Sequence, residues 1–81
     1  MKVPRDIDAS QLIATLKRTG YVVVRQTGSH IRLSKTLETG DVHHITVPNH
    51  KPVKIGTLQG IVTEVCRINN LSVRQFYLAL S

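Results

Sequence analysis

The chain has 81 residues, of which 41% are apolar and 20% charged, a globular composition that excludes an intrinsically disordered segment. A chain this short buries only about 60 to 65% of its unfolded surface, which leaves room for one domain with a surface groove but hardly for a deep cofactor pocket. Eleven Lys and Arg against five Asp and Glu give a net charge of +6 and a pI near 10.1, which points to a polyanionic partner: nucleic acid, an acidic protein or a membrane surface.

Nucleic acid is the preferred class, with an acidic protein as a further partner. No apolar run approaches the roughly 18 residues of a spanning helix, so no membrane partner is expected, and neither is a secretory leader. Cys66 has no second cysteine to pair with and falls in a helical apolar pattern. It is expected to pack in the core of a protein kept in a reducing cytoplasm.

In chain order, Met1 to Arg5 is a short basic lead. Asp8 reads as an N-cap, with Gln11 completing a capping box and Ile7 and Leu12 forming a hydrophobic staple. Leu12, Ile13 and Leu16 make the apolar stripe of a first helix over about residues 9–19. Lys17 and Arg18 occupy its last turn, Gly20 is its C′ residue, and Tyr21 follows as C″, close to Leu16. Val22, Val23 and Val24 then favour a strand over about residues 21–26. Gly28 breaks it with a tight turn. A second strand covers about residues 29–34. Its period of two puts Ile31 and Leu33 on the buried face and His30 and Arg32 on the other.

A polar loop containing Gly40 leads to a third strand over about residues 43–47, which Pro48 ends. Ile45 and Val47 share a parity with His43, opposite to His44 and Thr46. After a basic loop, a second helix begins near Gly56 or Thr57, with Leu58, Ile61, Val62, Val65 and Cys66 at three-and-four spacing. Gly60 inside it costs roughly 1 kcal/mol against alanine, and close packing on the sheet would account for it. Asn69-Asn70 interrupts. Ser72 caps a short third helix over about residues 72–80, with Gln75 at N3 and Leu71 stapled to Phe76. Phe76, Leu78 and Leu80 equip that helix to dock on the body or on another copy. The whole chain reads as a single domain, with its core over about residues 8–68.

Helix, three strands, helix and helix, with short turns between the strands, imply an α+β fold. Its three-stranded antiparallel sheet carries the helices on one face. The arrangement resembles a double-stranded-RNA-binding domain, which reads RNA through shape, phosphates and 2′-hydroxyls.

Two stretches concentrate the chemistry: Thr27-Gly28-Ser29-His30 and Pro48-Asn49-His50-Lys51. Each joins a strand to a polar turn that carries an imidazole. An imidazole can take a proton from the RNA 2′-hydroxyl or give one to the leaving oxygen, since histidine titrates near neutrality. Arg25, Arg32 and Lys51 could neutralise phosphate charge nearby, assisted by the Gly28 and Ser29 amides. The competing reading of His30 is an ordinary surface histidine in a turn. His50 could bind phosphate, orient His30 or do neither. His43 and His44 point to opposite faces of a strand and cannot share a metal; one helical cysteine and dispersed histidines make no zinc set. No cofactor is expected. Tyr21, Phe76 and Tyr77 are the only aromatics, and at least two look like core, which disfavours reading single-stranded bases by stacking. A non-catalytic RNA-binding module is therefore the alternative to a nuclease, and an adaptor for an acidic protein is a third reading.

The residues resemble the HicA family of bacterial and archaeal toxins over about residues 8–68. The resemblance lies in the capped helix ending in Gly20-Tyr21, then Gly28-Ser29-His30. After the hairpin come Ile45-Thr46-Val47-Pro48-Asn49-His50, and Lys54-Ile55-Gly56-Thr57-Leu58 opening the next helix. The resemblance implies a double-stranded-RNA-binding-like fold, metal-independent cleavage of mRNA, and a HicB-type antitoxin covering the active face. It also implies that the histidine of the Gly-Ser-His motif, here His30, is catalytic. Gly28, Ser29, Arg25, Arg32, His50, Lys51 and Lys54 are then the candidate RNA contacts.

Overall fold

The computed structural model describes residues 2–80. Its elements are α1 (Ala9–Arg18), β1 (Val22–Thr27), β2 (His30–Thr36), β3 (Val42–Pro48), α2 (Ile55–Asn69) and α3 (Val73–Leu80). The strands form one antiparallel sheet in the order β1-β2-β3. This is the α+β architecture the sequence predicts, consistent with a double-stranded-RNA-binding-like fold.

The ends of α1 follow from its caps. The Asp8 backbone N–H donates to Gln11 Oε1 at 2.9 Å, which is the Gln11 half of the capping box. Ile7 and Leu12, the staple pair, are both buried. At the C-terminus, Tyr21 N–H donates to the Leu16 carbonyl and Gly20 N–H to the Lys17 carbonyl, both at 3.0 Å. That pair of bonds is a Schellman motif, and Gly20 supplies the φ of +107° it requires. The motif drops Tyr21 into the core, where it is 1% exposed.

The helices bury one face of the sheet. Ile31, Leu33, Ile45 and Val47 point into a core shared with Leu12 and Leu16 of α1, the apolar stripe of α2, and Phe76, Tyr77 and Leu80 of α3. Cys66 is buried there, as expected. Each fully buried Leu, Ile, Val or Phe side chain contributes about 1.5 to 3 kcal/mol. Hydrogen bonds from Gln11 Nε2 to the Leu80 carbonyl and from Arg18 Nη2 to the Ala79 carbonyl, both 3.5 Å, add to the docking of α3.

Four details differ from the sequence reading. β2 runs on to Thr36, because Lys35 and Thr36 still pair with His43 and Val42. α2 starts at Ile55. A Cβ added at Gly60 would meet nothing within 4 Å, so this glycine faces solvent instead of packing on the sheet. Leu78, expected to dock, is 59% exposed, and the docking of α3 falls to Phe76, Tyr77 and Leu80.

A polar chain ties the sheet to α2. Asn69 Nδ2 donates to Tyr21 Oη at 3.0 Å and to the Val65 carbonyl at 2.8 Å, while Asn69 Oδ1 accepts from Lys35 Nζ at 2.6 Å. Tyr21 Oη lies 2.6 Å from His43 Nδ1, and His43 Nε2 lies 3.2 Å from Glu64 Oε2. With Asn69 donating to it, the Tyr21 hydroxyl is left to donate to His43 Nδ1, which orients the ring with Nε2 toward Glu64. Lys35 Nζ also donates to the Thr19 carbonyl at 2.8 Å. The brace joins β2, β3 and α2 to the link between α1 and β1. His43 is thus absorbed by structure, while His44 is exposed on the opposite face.

Candidate catalytic groove on the open sheet face

No helix covers the other face of the sheet. His30 opens β2 there, after a two-residue hairpin turn in which Gly28 takes a φ of +57°. A positive φ at the first central residue alone is the II′ arrangement, which suits the twist of paired strands. In register, His30 stands opposite Thr27 on β1 and Pro48 on β3, and Arg32 stands opposite Arg25 and Thr46. Paired residues share a face of the sheet. Together Arg25, Thr27, His30, Arg32 and Thr46 line a shallow groove of about 200 Å³.

Arg25 reaches this face through a β-bulge. Val23 pairs with Leu33 on the helix side, and strict alternation would send Arg25 to that side as well. The ladder skips Val24, so Arg25 pairs with Arg32 instead. One extra residue shifts the phase of the strand. Sequence parity on β2 places His30 and Arg32 correctly, but nothing in Val22-Val23-Val24 announces the bulge.

The groove is strongly cationic. Arg25 and Arg32 are direct cross-strand partners, and like charges in that position repel. Among the described residues neither has a carboxylate within ion-pair distance; the one imidazole–carboxylate contact, His43 with Glu64, lies on the helix side. Two uncompensated guanidiniums, an imidazole and two hydroxyls on one small surface make a seat for an anion of phosphate size.

The remaining predicted contacts do not line the groove. Gly28 and Ser29 form the exposed turn before His30, and the Ser29 carbonyl accepts from Asn49 N–H at 2.6 Å. That bond holds the start of the loop carrying His50 and Lys51 against the turn. Farther along, the His50 carbonyl accepts from Ala9 N–H at 3.1 Å, and Val53 N–H donates to the Ile7 carbonyl at 2.8 Å. The loop is thus pinned between the hairpin turn and the start of α1. His50, Lys51 and Lys54, the last being the N-cap residue of α2, are all exposed on it. Thr27, from the Thr27-Gly28-Ser29-His30 stretch, and Thr46 also line the groove, though neither is among the expected RNA contacts. The parity of Thr46, opposite to Ile45 and Val47, was the available signal.

Residues 9–67 match the family described as the HicA toxin of bacterial toxin-antitoxin. The chain belongs to the HicA family. The match runs from the first residue of α1 to Arg67 in the last turn of α2, so it contains all five groove residues and leaves α3 outside. This HicA-family chain therefore takes its place among toxins of toxin–antitoxin pairs. No curated protein and no solved structure matches it.

Proposed function

We propose that the chain is an mRNA-cleaving endoribonuclease toxin with His30 as its acid–base group, restrained in the cytoplasm by a HicB-type antitoxin. The observation that carries this reading is the exposed imidazole beside an uncompensated arginine pair, inside the segment that matches the toxin family. In the proposed reaction the RNA 2′-oxygen attacks the adjacent phosphorus and the bond to the 5′-oxygen breaks. The products are a 2′,3′-cyclic phosphate and a 5′-hydroxyl. The 2′-hydroxyl loses a proton and the 5′-oxygen gains one; His30 serves one of these transfers, and solvent serves the other. Arg25 and Arg32 hold the reacting phosphate as its charge builds, with help from the Gly28 and Ser29 amides. His50, Lys51 and Lys54 hold neighbouring phosphates on the pinned loop.

The second reading is an RNA-binding module without chemistry. It is favoured by the His30 ring itself, which has no hydrogen-bonding side chain to orient it among the described residues. End-labelled mRNA incubated with the full chain and EDTA separates the two. Under the nuclease reading the parent cuts, and a folded His30→Ala variant loses about 10²- to 10⁴-fold in rate, the contribution of one well-placed acid or base. Equal cutting by both proteins removes His30 from the mechanism. If neither cuts and both bind RNA alike, the module reading stands.

A further inference from the structure

Val22, Val23 and Val24 open β1 and are 58%, 42% and 52% exposed. β1 is an edge of the sheet, bonded to β2 on one side only, and all six of its residues are exposed. A free edge bearing apolar β-branched side chains is a template for another strand, and proteins commonly blunt such edges with Lys, Pro or a covering element. The sequence of β1, VVVRQT, contains neither Lys nor Pro. Its blunting devices are Arg25 and the bulge at Val24, and the bulge sits within the valine run. Nucleic acid gives these valines no role, because RNA is held through phosphates, sugars and base faces. Their chemistry is that of a protein contact.

We infer that the free edge of β1 is a docking site for an extended, acidic strand of another protein, added to the sheet as a fourth strand. Backbone hydrogen bonds supply affinity in such additions and side chains supply selectivity. Apolar side chains of the incoming strand lie beside Val23 on the helix side, and its carboxylates lie beside Arg25 on the open face. The charge of the partner follows from the page. Among the described residues Arg25 has no carboxylate within ion-pair distance, and the chain carries +6. A second copy docking through the same edge would set +6 against +6, so like-charge repulsion opposes it. The added strand borders the groove, because Arg25 and Thr27 belong to both. The inference does not depend on RNA cleavage.

The test uses the ¹⁵N-labelled full chain and a short peptide alternating valine and glutamate, about six residues long as a typical strand is. Amide signals of residues 22–27 should shift and their hydrogen exchange should slow. A counterpart peptide alternating valine and lysine should bind about tenfold more weakly or worse. Val24→Glu, at a position 52% exposed, should retain the fold by circular dichroism and weaken binding by a similar factor. His30→Ala should bind like the parent, so failure of the nuclease reading leaves this result readable. Absence of binding, equal binding of both peptides, or shifts confined to other elements would overturn the inference. So would sedimentation showing a dimer whose β1 amides are already protected without peptide.

Discussion

At the scale of single residues, Gly60 and Tyr21 make opposite points. Gly60 sits in the interior of α2 with open space where a Cβ would go. Gly60→Ala should therefore raise stability by up to about 1 kcal/mol through backbone entropy and helix propensity. A chemical-denaturation midpoint that fails to rise would mean the glycine has a conformational role that the helix hides. Tyr21 is almost wholly buried, and its hydroxyl lies between Asn69 Nδ2 and His43 Nδ1. Tyr21→Phe keeps the ring but strips both groups of a partner. A loss of about 1 to 3 kcal/mol at neutral pH is expected, the cost of unsatisfied polar groups.

The same hydroxyl sets an alkaline limit. Burial pushes the Tyr21 phenol above its ordinary value, against a lowering from the Asn69 hydrogen bond and with a further raise from Glu64. Burial also raises Tyr77 and the Cys66 thiol. Groups raised in the folded state hold more protons than in the unfolded chain. Their stabilisation is complete below the ordinary values, about 8.5 for Cys and 10 for Tyr, and is lost as pH rises through the higher folded values. Unfolding free energy measured from pH 8 upward should fall across roughly that range. It should fall less steeply in Tyr21→Phe.

At the scale of elements, helices were more legible than strands. Asp8, Gln11 and Gly20 mark both ends of α1, because caps are local chemistry between residues a few positions apart. The three-and-four apolar spacing of α2 coincides with its buried set. The phase of β1 was not legible. Three valines in succession fit either parity, and only pairing with β2 decides that Val24 is skipped and Arg25 turns outward. The extension of β2 to Thr36 has the same origin, since β3 is there to pair with it. On α3, spacing suggested Phe76, Leu78 and Leu80 as the docking set, but the positions of α1 and α2 select Tyr77 over Leu78.

At the scale of the whole molecule, the layers segregate tasks. Helices cover one side of the sheet, and the brace from Thr19 to Glu64 is on that side, leaving His30 and its arginines exposed on the other. If the open face holds RNA through phosphates, affinity should fall linearly in log salt. The slope should reach about −0.7 per phosphate contact on a single strand. Arg32→Ala should lower the magnitude of that slope by roughly 0.7 and leave the melting temperature near that of the parent, because it also relieves repulsion from Arg25. An unchanged slope would take Arg32 out of the RNA contact.

By itself the sequence determined the element order, the helix caps, the charge, the family likeness, and the side of β2 on which His30 and Arg32 emerge. These are properties of short windows and of composition, where the deciding interactions join residues close in the chain. The tertiary structure alone decided the bulge that brings Arg25 opposite Arg32, the admission of Thr27 and Thr46 to the groove, and the engagement of His43 by Tyr21 and Glu64. It also decided that the valines of β1 remain uncovered. Each depends on which strand or helix lies alongside, and pairing across the sheet is set by the packing of the entire chain rather than by any one stretch of it.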